Sequence, residues 1–160
     1  MPNQVQKYMN KISGPLMDRI DIQVEIEPVE FDDMASRQAA ESSSSIRERV
    51  VKAREIQQER FKDLPGIHCN AQMTGRMLRR FAWPDEAGLA KLKAQMTKLN
   101  MSARAFDRIL RVARTIADLE SASNGLPLDQ AITAPVEARH IAEAIGYRAL
   151  DRPANFGIAF

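Results

Sequence analysis

The sequence predicts a mainly α-helical protein: a small helical bundle preceded by one isolated β-strand and a loosely ordered N-terminal segment. Aromatic residues are only 6% of the 160 residues, whereas apolar residues are 44%, so the core must be largely aliphatic and rich in alanine, which favours helix. Residues 102–119 carry apolar side chains at spacings of three and four, the strongest helical period in the chain. Strict alternation of apolar and polar residues occurs over Ile20–Ile26, the one convincing strand.

The strand pattern at Ile20–Ile26 has no counterpart of similar quality elsewhere in the chain. A strand needs partners, and even a two-stranded hairpin is marginal in water. We infer that it belongs to a sheet whose other strands lie outside this chain; pairing with a second copy, or a loose segment, are the alternatives. A short helix is predicted before it at Gln4–Lys11, and roughly residues 1–40 are expected to be poorly ordered alone. This pattern is typical of a piece of a larger protein.

A polar connection, Phe31–Ser45, leads into the helical part, and its serines Ser42–Ser45 can cap the next helix. About five helices are then predicted: Ile46–Leu64, Thr74–Phe81, Asp85–Leu99, Ser102–Leu119 and Pro135–Tyr147. The link between Leu99 and Ser102 is short, so the two helices that it joins should pack as antiparallel neighbours. Residues 121–134 are predicted to be a loop and residues 151–160 a frayed tail.

Composition and motifs exclude several classes of function. The single cysteine, Cys69, rules out an internal disulfide, and neither a secretion signal nor an apolar run of ~18 residues occurs, so a soluble cytoplasmic protein with no membrane partner is expected. The two histidines, His68 and His140, do not stand at metal-ligand spacing from each other or from Cys69, so no metal site is predicted. No GxxxxGK[ST] loop and no catalytic triad is present, so the chain has no self-sufficient active site.

Arg104 breaks the local rules of its helix. It follows Ser102, a good N-cap, and lies in the first turn, where the helix dipole disfavours a cation. Free amides in the first turn also attract anions, so an arginine there is consistent with a bound phosphate that both groups contact. The alternative is a solvated arginine on a polar face that it shares with Arg108 and Arg111. The spacing alone leaves both interpretations open.

The net charge of +2 does not demand a nucleic-acid partner, although the 23 basic residues could be concentrated on one face. The helix at Ile46–Leu64 mixes both signs of charge on its other faces, Arg60 included, which favours a solvated face with i,i+4 pairs over a face that follows phosphates. An independent nucleic-acid-binding module is nevertheless one hypothesis for the chain. It would use Arg47, Lys52, Arg54, Arg76, Arg79, Arg80 and Arg111.

Several runs resemble, in the right order, the C-terminal part of the magnesium-chelatase-like AAA+ ATPases. These are KISGPLMDRIDIQVEI, SSSIRERVVKAREIQQERF, the pair Asn70-Ala71, LNMSARAFDRILRVARTIADLE and HIAEAIGYRALDR. The resemblance covers about residues 6–121 and 139–152. Residues 124–136 are longer than the turn usual in that family, and residues 153–160 extend beyond the matched region.

The resemblance implies a division of the chain into three parts. Residues 1–40 would be the end of an AAA+ core, residues 41–152 a helical lid over the nucleotide, and residues 153–160 a tail. Family members carry their nucleotide-binding loop upstream of this region and assemble as homo-oligomeric rings, typically hexamers. ATP and Mg²⁺ would therefore be the cofactors of the full-length protein, and this segment alone would bind neither and hydrolyse no ATP.

The resemblance also implies roles for individual residues. The SARA run resembles the second sensor of AAA+ proteins, so Arg104, with Ser102, would contact the γ-phosphate. The DRID run resembles the segment that carries an arginine finger, so Arg19 would act on nucleotide held by a neighbouring subunit. An ordinary ion pair of Arg19 with Asp18 or Asp21 is the alternative.

Two kinds of work are known in the resembling family. Some members are thought to be DNA helicases that drive branch migration in natural transformation, and this is the function that we expect, with single-stranded or branched DNA as partner. The DNA contacts expected are Arg47, Arg54, Arg79 and Arg80. The true chelatase subunits instead belong to motors that insert magnesium into protoporphyrin.

Overall fold

The computed structural model describes residues 7–8, 11–17, 19–24, 26, 28–35, 40–99 and 101–148. Over these residues the protein is mainly α-helical and the bundle is small, which confirms the predicted fold class. The helices are α1 (Gly14–Met17), α2 (Phe31–Ala35), α3 (Ser43–Phe61), α4 (Gly75–Phe81), α5 (Glu86–Leu99), α6 (Ala103–Ser123), α7 (Leu128–Ala131) and α8 (Ala138–Gly146). A 3-10 turn, Asn70–Gln72, lies between α3 and α4.

Side-chain caps set the starts of the long helices. Ser42 Oγ accepts a hydrogen bond from the Ser45 amide at 3.2 Å, so α3 begins three residues before the predicted Ile46. Ser102 caps α6 in the same way, as predicted, and its Oγ lies 3.2 Å from the Ala105 nitrogen. α6 continues one turn beyond the predicted end at Leu119. The chain then changes direction at Gly125, whose φ of 65° is a left-handed conformation that glycine adopts without strain.

Two segments predicted to lack helix contain short ones. α2 lies within the polar connection Phe31–Ser45, and α7 lies within the predicted loop 121–134. Both are only about one turn long, below the length at which periodicity is readable in a sequence. The predicted helix Gln4–Lys11 falls mostly outside the described residues, and the tail 151–160 falls entirely outside them.

The alternating run at Ile20–Ile26 forms no β-ladder among the residues that the structure describes. Gln23 makes one parallel bridge with Arg148, just after α8. Ile22, Val24 and Ile26 are 52%, 65% and 86% exposed, so this face of the segment is not packed on the bundle. The sheet that would bury these side chains, and the domain boundaries at residues 40 and 152, stay predictions.

α6 is the central element of the bundle. It packs against α3, the 3-10 turn, α4 and α8, and its apolar stripe is buried at Ile109, Leu110, Ala113 and Ala117. The predicted antiparallel packing of α5 on α6 is wrong, because α5 packs chiefly on α8, which also packs on α6. The short link fixes where α5 ends but not which helix covers its apolar face.

A glycine allows the close approach of α5 to α8. A Cβ at Gly88 would lie 3.3 Å from Ile141 Cγ1 of α8 and 2.9 Å from Pro84 Cβ. The Gly88 amide donates to Asp85 Oδ1 at 2.7 Å, which caps α5, and the same oxygen would lie 2.8 Å from the added Cβ. Position 88 therefore has no room for a side chain unless the cap or the interface shifts.

A buried ion pair joins α3 to α6. Arg60 Nη2 lies 2.6 Å from Asp118 Oδ1, and Arg60 Nη1 lies 2.8 Å from Asp118 Oδ2, so the contact is bidentate. Both side chains are almost fully buried. Arg60 Nε also donates to the Ile132 carbonyl at 3.0 Å, which fastens the segment after α7. The prediction that Arg60 lies on a solvated face is wrong, because it points into the bundle at the end of α3.

Asn70 brings the 3-10 turn into the same network. Its Nδ2 donates to Asp118 Oδ2 at 2.8 Å and to Thr115 Oγ1 at 3.1 Å, and its backbone amide donates to Gln57 Oε1 at 3.1 Å. Asn70 is 1% exposed, so these bonds replace its hydration completely. The residue is therefore a structural link between α3 and α6.

Arg114 is the second cation on Asp118. Its Nε donates to Asp118 Oδ1 at 3.1 Å, one helical turn away, and its Nη1 donates to the Ala134 carbonyl. Burial lowers the pKa of Arg114 to about 10, against the opposing effect of the Asp118 charge, and the guanidinium still remains charged at neutral pH. One carboxylate thus serves two buried guanidinium groups, and backbone carbonyls accept from both of them, whereas Arg114 Nη2 makes no hydrogen bond with a described residue.

Gly88→Ala should destabilise the protein by about 1 kcal/mol or more, because the gain in helix propensity is smaller than the overpacking between α5 and α8. Chemical denaturation followed by circular dichroism measures the change. Gly75→Ala is the matched control, since nothing lies within 4 Å of a Cβ at that position. We expect that variant to be neutral or slightly more stable. A Gly88→Ala protein as stable as Gly75→Ala would contradict the close approach.

Asp118→Asn should cost about 3–5 kcal/mol, because it leaves two buried arginines without a countercharge. The unfolding midpoint in urea measures the loss, and absence of a cooperative transition agrees with it. Asp63→Asn is the control, since Asp63 is exposed and its replacement should change stability by less than about 0.5 kcal/mol. Equal midpoints for the two variants would show that the network contributes little.

Candidate nucleotide and nucleic-acid contacts

The N-terminus of α6 presents Arg104 to solvent. Arg104 is exposed in the first turn, directly after the Ser102 cap, and its guanidinium has no hydrogen bond or ion pair with another described residue. The alternative interpretation places Arg104 on a solvated face with Arg108 and Arg111. Both of these arginines instead bind other protein groups. Arg108 pairs with Asp21, and Arg111 donates from Nη2 and Nε to the Met73 carbonyl at 2.8 and 3.1 Å. Arg104 is therefore the one of these three arginines that is available to an anion.

Arg19 is also exposed, on a segment that is fastened to the bundle. Arg148 Nη1 donates to the Ile20 carbonyl at 3.0 Å, and the Gln23 amide donates to the Tyr147 carbonyl at 2.7 Å. Asp21 pairs with Arg108 of α6 rather than with Arg19. Asp18, the other acid considered for Arg19, lies outside the described residues. The geometry does not assign a role to Arg19, and the finger assignment stays a prediction.

The four arginines predicted to contact DNA lie on two different helices. Arg47 and Arg54 are exposed on α3, whereas Arg79 and Arg80 are exposed in the last turn of α4. The Arg80 guanidinium lies 4.7 Å from the centroid of the Phe81 ring. The structure therefore divides this set into two candidate surfaces. Lys52 and Arg76 of the larger basic set are exposed too, while Arg111 is held by Met73.

Two grooves flank Trp83 in the link between α4 and α5. The first, of about 700 Å³, is lined by Arg76, Arg79, Trp83, Met96 and Phe106 among others, and it adjoins the first turns of α6. The second, of about 490 Å³, is lined by Lys62, Arg80, Trp83 and the edges of Arg60 and Arg114 among others. Trp83 borders both grooves and is 44% exposed.

Periodicity missed the residues that hold these surfaces in place. Periodicity does not single out Asp118 or Arg114, because a charged residue in an amphipathic helix is normally assigned to solvent. Two local signals could have identified them. Asp118 directly follows Ala117 and Arg114 directly follows Ala113, both buried alanines of the apolar stripe. The two residues also have opposite charges and lie one helical turn apart.

Neither a metal cluster nor a membrane span is found in the described parts of the chain. No group of three or more potential His, Cys, Asp or Glu ligands converges there. Within the same residues, no helix is both long enough and apolar enough to cross a bilayer. His140 is buried at the start of α8, where its Nδ1 accepts the Glu137 amide at 2.9 Å and its Nε2 faces Glu120. This bond to His140, with the charge of Arg139, lowers the pKa of Glu120.

Known proteins that resemble this chain share most of its length. Competence protein ComM of Haemophilus influenzae is 36% identical over 152 residues, which cover 94% of this chain and 27% of that protein. The protein YifB of Salmonella typhimurium is 37% identical over 153 residues, again 94% of this chain and 27% of the relative. The protein Rv2897c of Mycobacterium tuberculosis is 36% identical over 114 residues, 71% of this chain and 22% of the relative. The chain thus spans about a quarter of the length of these relatives.

Two family profiles match successive parts of the chain. Residues 1–34 match the family described as magnesium chelatase, subunit ChlI. Residues 40–148, which include α3 to α8 and the whole Asp118 network, match the family described as magnesium chelatase, subunit ChlI C-terminal. The chain therefore belongs to the magnesium chelatase ChlI family, and its helical bundle is the C-terminal domain of that family.

Proposed function

We propose that this chain is the lid of an AAA+ ATPase and that α6 presents Arg104 to the terminal phosphate of bound ATP. The observation that carries the proposal is the exposed Arg104, which has no hydrogen bond or ion pair with the residues that the structure describes and lies one residue inside a serine-capped helix of 21 residues. Membership of the magnesium chelatase family supports it. The nucleotide-binding loop would be supplied elsewhere in a longer polypeptide, since this chain contains no GxxxxGK[ST] run.

The N-terminus of α6 fits an anion in two ways. The first-turn amides and the helix dipole favour negative charge, and the guanidinium of Arg104 can donate two parallel hydrogen bonds to phosphate oxygens. ATP with its Mg²⁺ supplies the phosphoryl group to be transferred. The contribution of Arg104 would be to stabilise charge on the terminal phosphate and to draw the lid onto it, which a planar, always charged side chain does better than lysine.

Arg19 would act across a subunit boundary in a homo-oligomeric ring, where it would stabilise charge on nucleotide held by the neighbour. What supports this is its exposure together with the attachment of its segment to Arg108 of α6 through Asp21, and to Arg148, just after α8, through Ile20. A finger that acts in trans must project from its own subunit, yet it must be held firmly at its base. The exposure of Arg19 and the contacts of its neighbours are compatible with both requirements.

The work done by the motor is proposed to be movement on DNA. One relative is named a competence protein, which supports a role in the handling of DNA during natural transformation. A second candidate, a motor that serves magnesium insertion, is favoured only by the family description. Stimulation of the ATPase by branched DNA would support the first, and stimulation by a porphyrin-chelating partner would support the second.

Arg104→Ala, made in the longest natural polypeptide that contains this chain, should lower ATP turnover at least tenfold, because one donor to developing charge is removed. Steady-state phosphate release measures it. Lys93→Ala on α5 is the control, an exposed cation away from the N-terminus of α6, and it should leave turnover unchanged. Turnover of Arg104→Ala within twofold of the parent would remove the sensor role.

A further inference from the structure

Trp83 is the only tryptophan in the sequence, and it projects between the two grooves described above. Its ring meets Phe106 edge to face, with centroids 6.1 Å apart, so the indole is anchored on one side while 44% of the residue stays exposed. A large aromatic side chain that is fixed yet half exposed is suited to stack against a flat partner.

The neighbouring face of α4 carries unneutralised positive charge. Arg76, Arg79 and Arg80 stand at i, i+3 and i+4, so they share one side of the helix. The sequence contains no acidic residue from position 64 to position 84. None of the three arginines forms an ion pair within the described part of the chain, whereas Arg49 and Arg108 are paired with carboxylates.

Acidic groups also line the grooves beside this face. Asp107 lines the groove that holds Arg76 and Arg79. Glu59 and Asp63 line the groove that holds Arg80, and Glu59 is already paired with Lys62 at 2.6 Å. Asp85 and Glu86 follow Pro84 and are exposed, but among the side chains that line the two grooves the cations outnumber the carboxylates. The lining of the grooves therefore complements a polyanion.

We propose that α4 and Trp83 together bind single-stranded nucleic acid, with a base stacked on Trp83 and backbone phosphates on Arg76, Arg79 and Arg80. The combination of an anchored aromatic ring with a row of arginines is how proteins hold single strands without reading their sequence. The proposal deepens the proposed role on DNA: of the two arginine surfaces, it selects the one on α4 over that of Arg47 and Arg54 on α3. A duplex would bind less well, because its paired bases cannot stack on a projecting ring.

The sole tryptophan makes the test direct. Trp83 emission is followed while an oligothymidylate of roughly 15 nucleotides is added to the 160-residue chain at low salt. We expect saturable quenching, with a slope of log K against log salt of about −2 if all three phosphate contacts form. Duplex DNA of equal length should bind at least tenfold more weakly.

Variants locate the site. Arg79→Glu keeps the reporter and should weaken binding at least tenfold. Trp83→Leu, followed by anisotropy of a labelled oligothymidylate, should weaken it about five- to 150-fold, and its thermal unfolding is measured to confirm that it folds. Lys93→Glu on α5 is the matched charge reversal that should have little effect, and Arg54→Glu tests the competing surface on α3.

The results that would overturn the proposal are distinct. One is the absence of quenching at low salt, and another is binding seen by anisotropy while Trp83 emission stays constant. Equal loss in Arg54→Glu and Arg79→Glu would place the strand elsewhere. If polyglutamate quenches Trp83 as strongly as the oligonucleotide does, the surface binds acidic protein rather than bases. None of these results bears on Arg104, whose role is decided by ATP turnover.

Discussion

The bundle depends on one buried carboxylate. Asp118 accepts hydrogen bonds from Arg60 at the end of α3, from Asn70 in the 3-10 turn and from Arg114 on its own helix. The two arginines also bind carbonyls of Ile132 and Ala134, so the segment after α7 is held by the same ions. Replacing a buried ion pair by apolar residues of equal volume often leaves stability unchanged or higher, whereas removing one partner leaves an uncompensated buried charge. Asp118 therefore joins three segments around α6.

The two ends of α6 differ in how far the rest of the bundle covers them. Its C-terminal half is enclosed by the ion network and by the apolar contacts of α3 and α8. Its N-terminal turns are open, with Ser102 and Arg104 exposed, and Arg108 holds the N-terminal segment through Asp21. A rigid helix anchored at one end can carry a displacement from a ligand at its other end into the bundle. The segment of Arg19 is tied to the same helix, which in our proposal would couple nucleotide contacts in neighbouring subunits.

Local rules predicted the long helices well, because the signals that begin and end them lie within a few residues. Ser42 and Ser102 cap α3 and α6 through their own side chains. The same rules failed where a choice depends on distant residues. They placed Arg60 in solvent and packed α5 on α6, although Gly88 lets α5 approach α8 instead. The alternating run at Ile20–Ile26 makes one bridge and no ladder among the described residues, and its sheet partners remain a prediction.

The sequence by itself determined the helical class, the central helix, its serine cap and the exposed arginine at its start, because each of these follows from neighbours within one or two turns. Only the tertiary structure decided which charges are buried and which arginines remain unpaired. Helical periodicity gives the direction in which a side chain points around the helix axis. It does not say which residues of neighbouring elements that side chain will face. Arg114 and Arg80 are both arginines on amphipathic helices, yet one faces Asp118 and the other faces solvent beside Trp83.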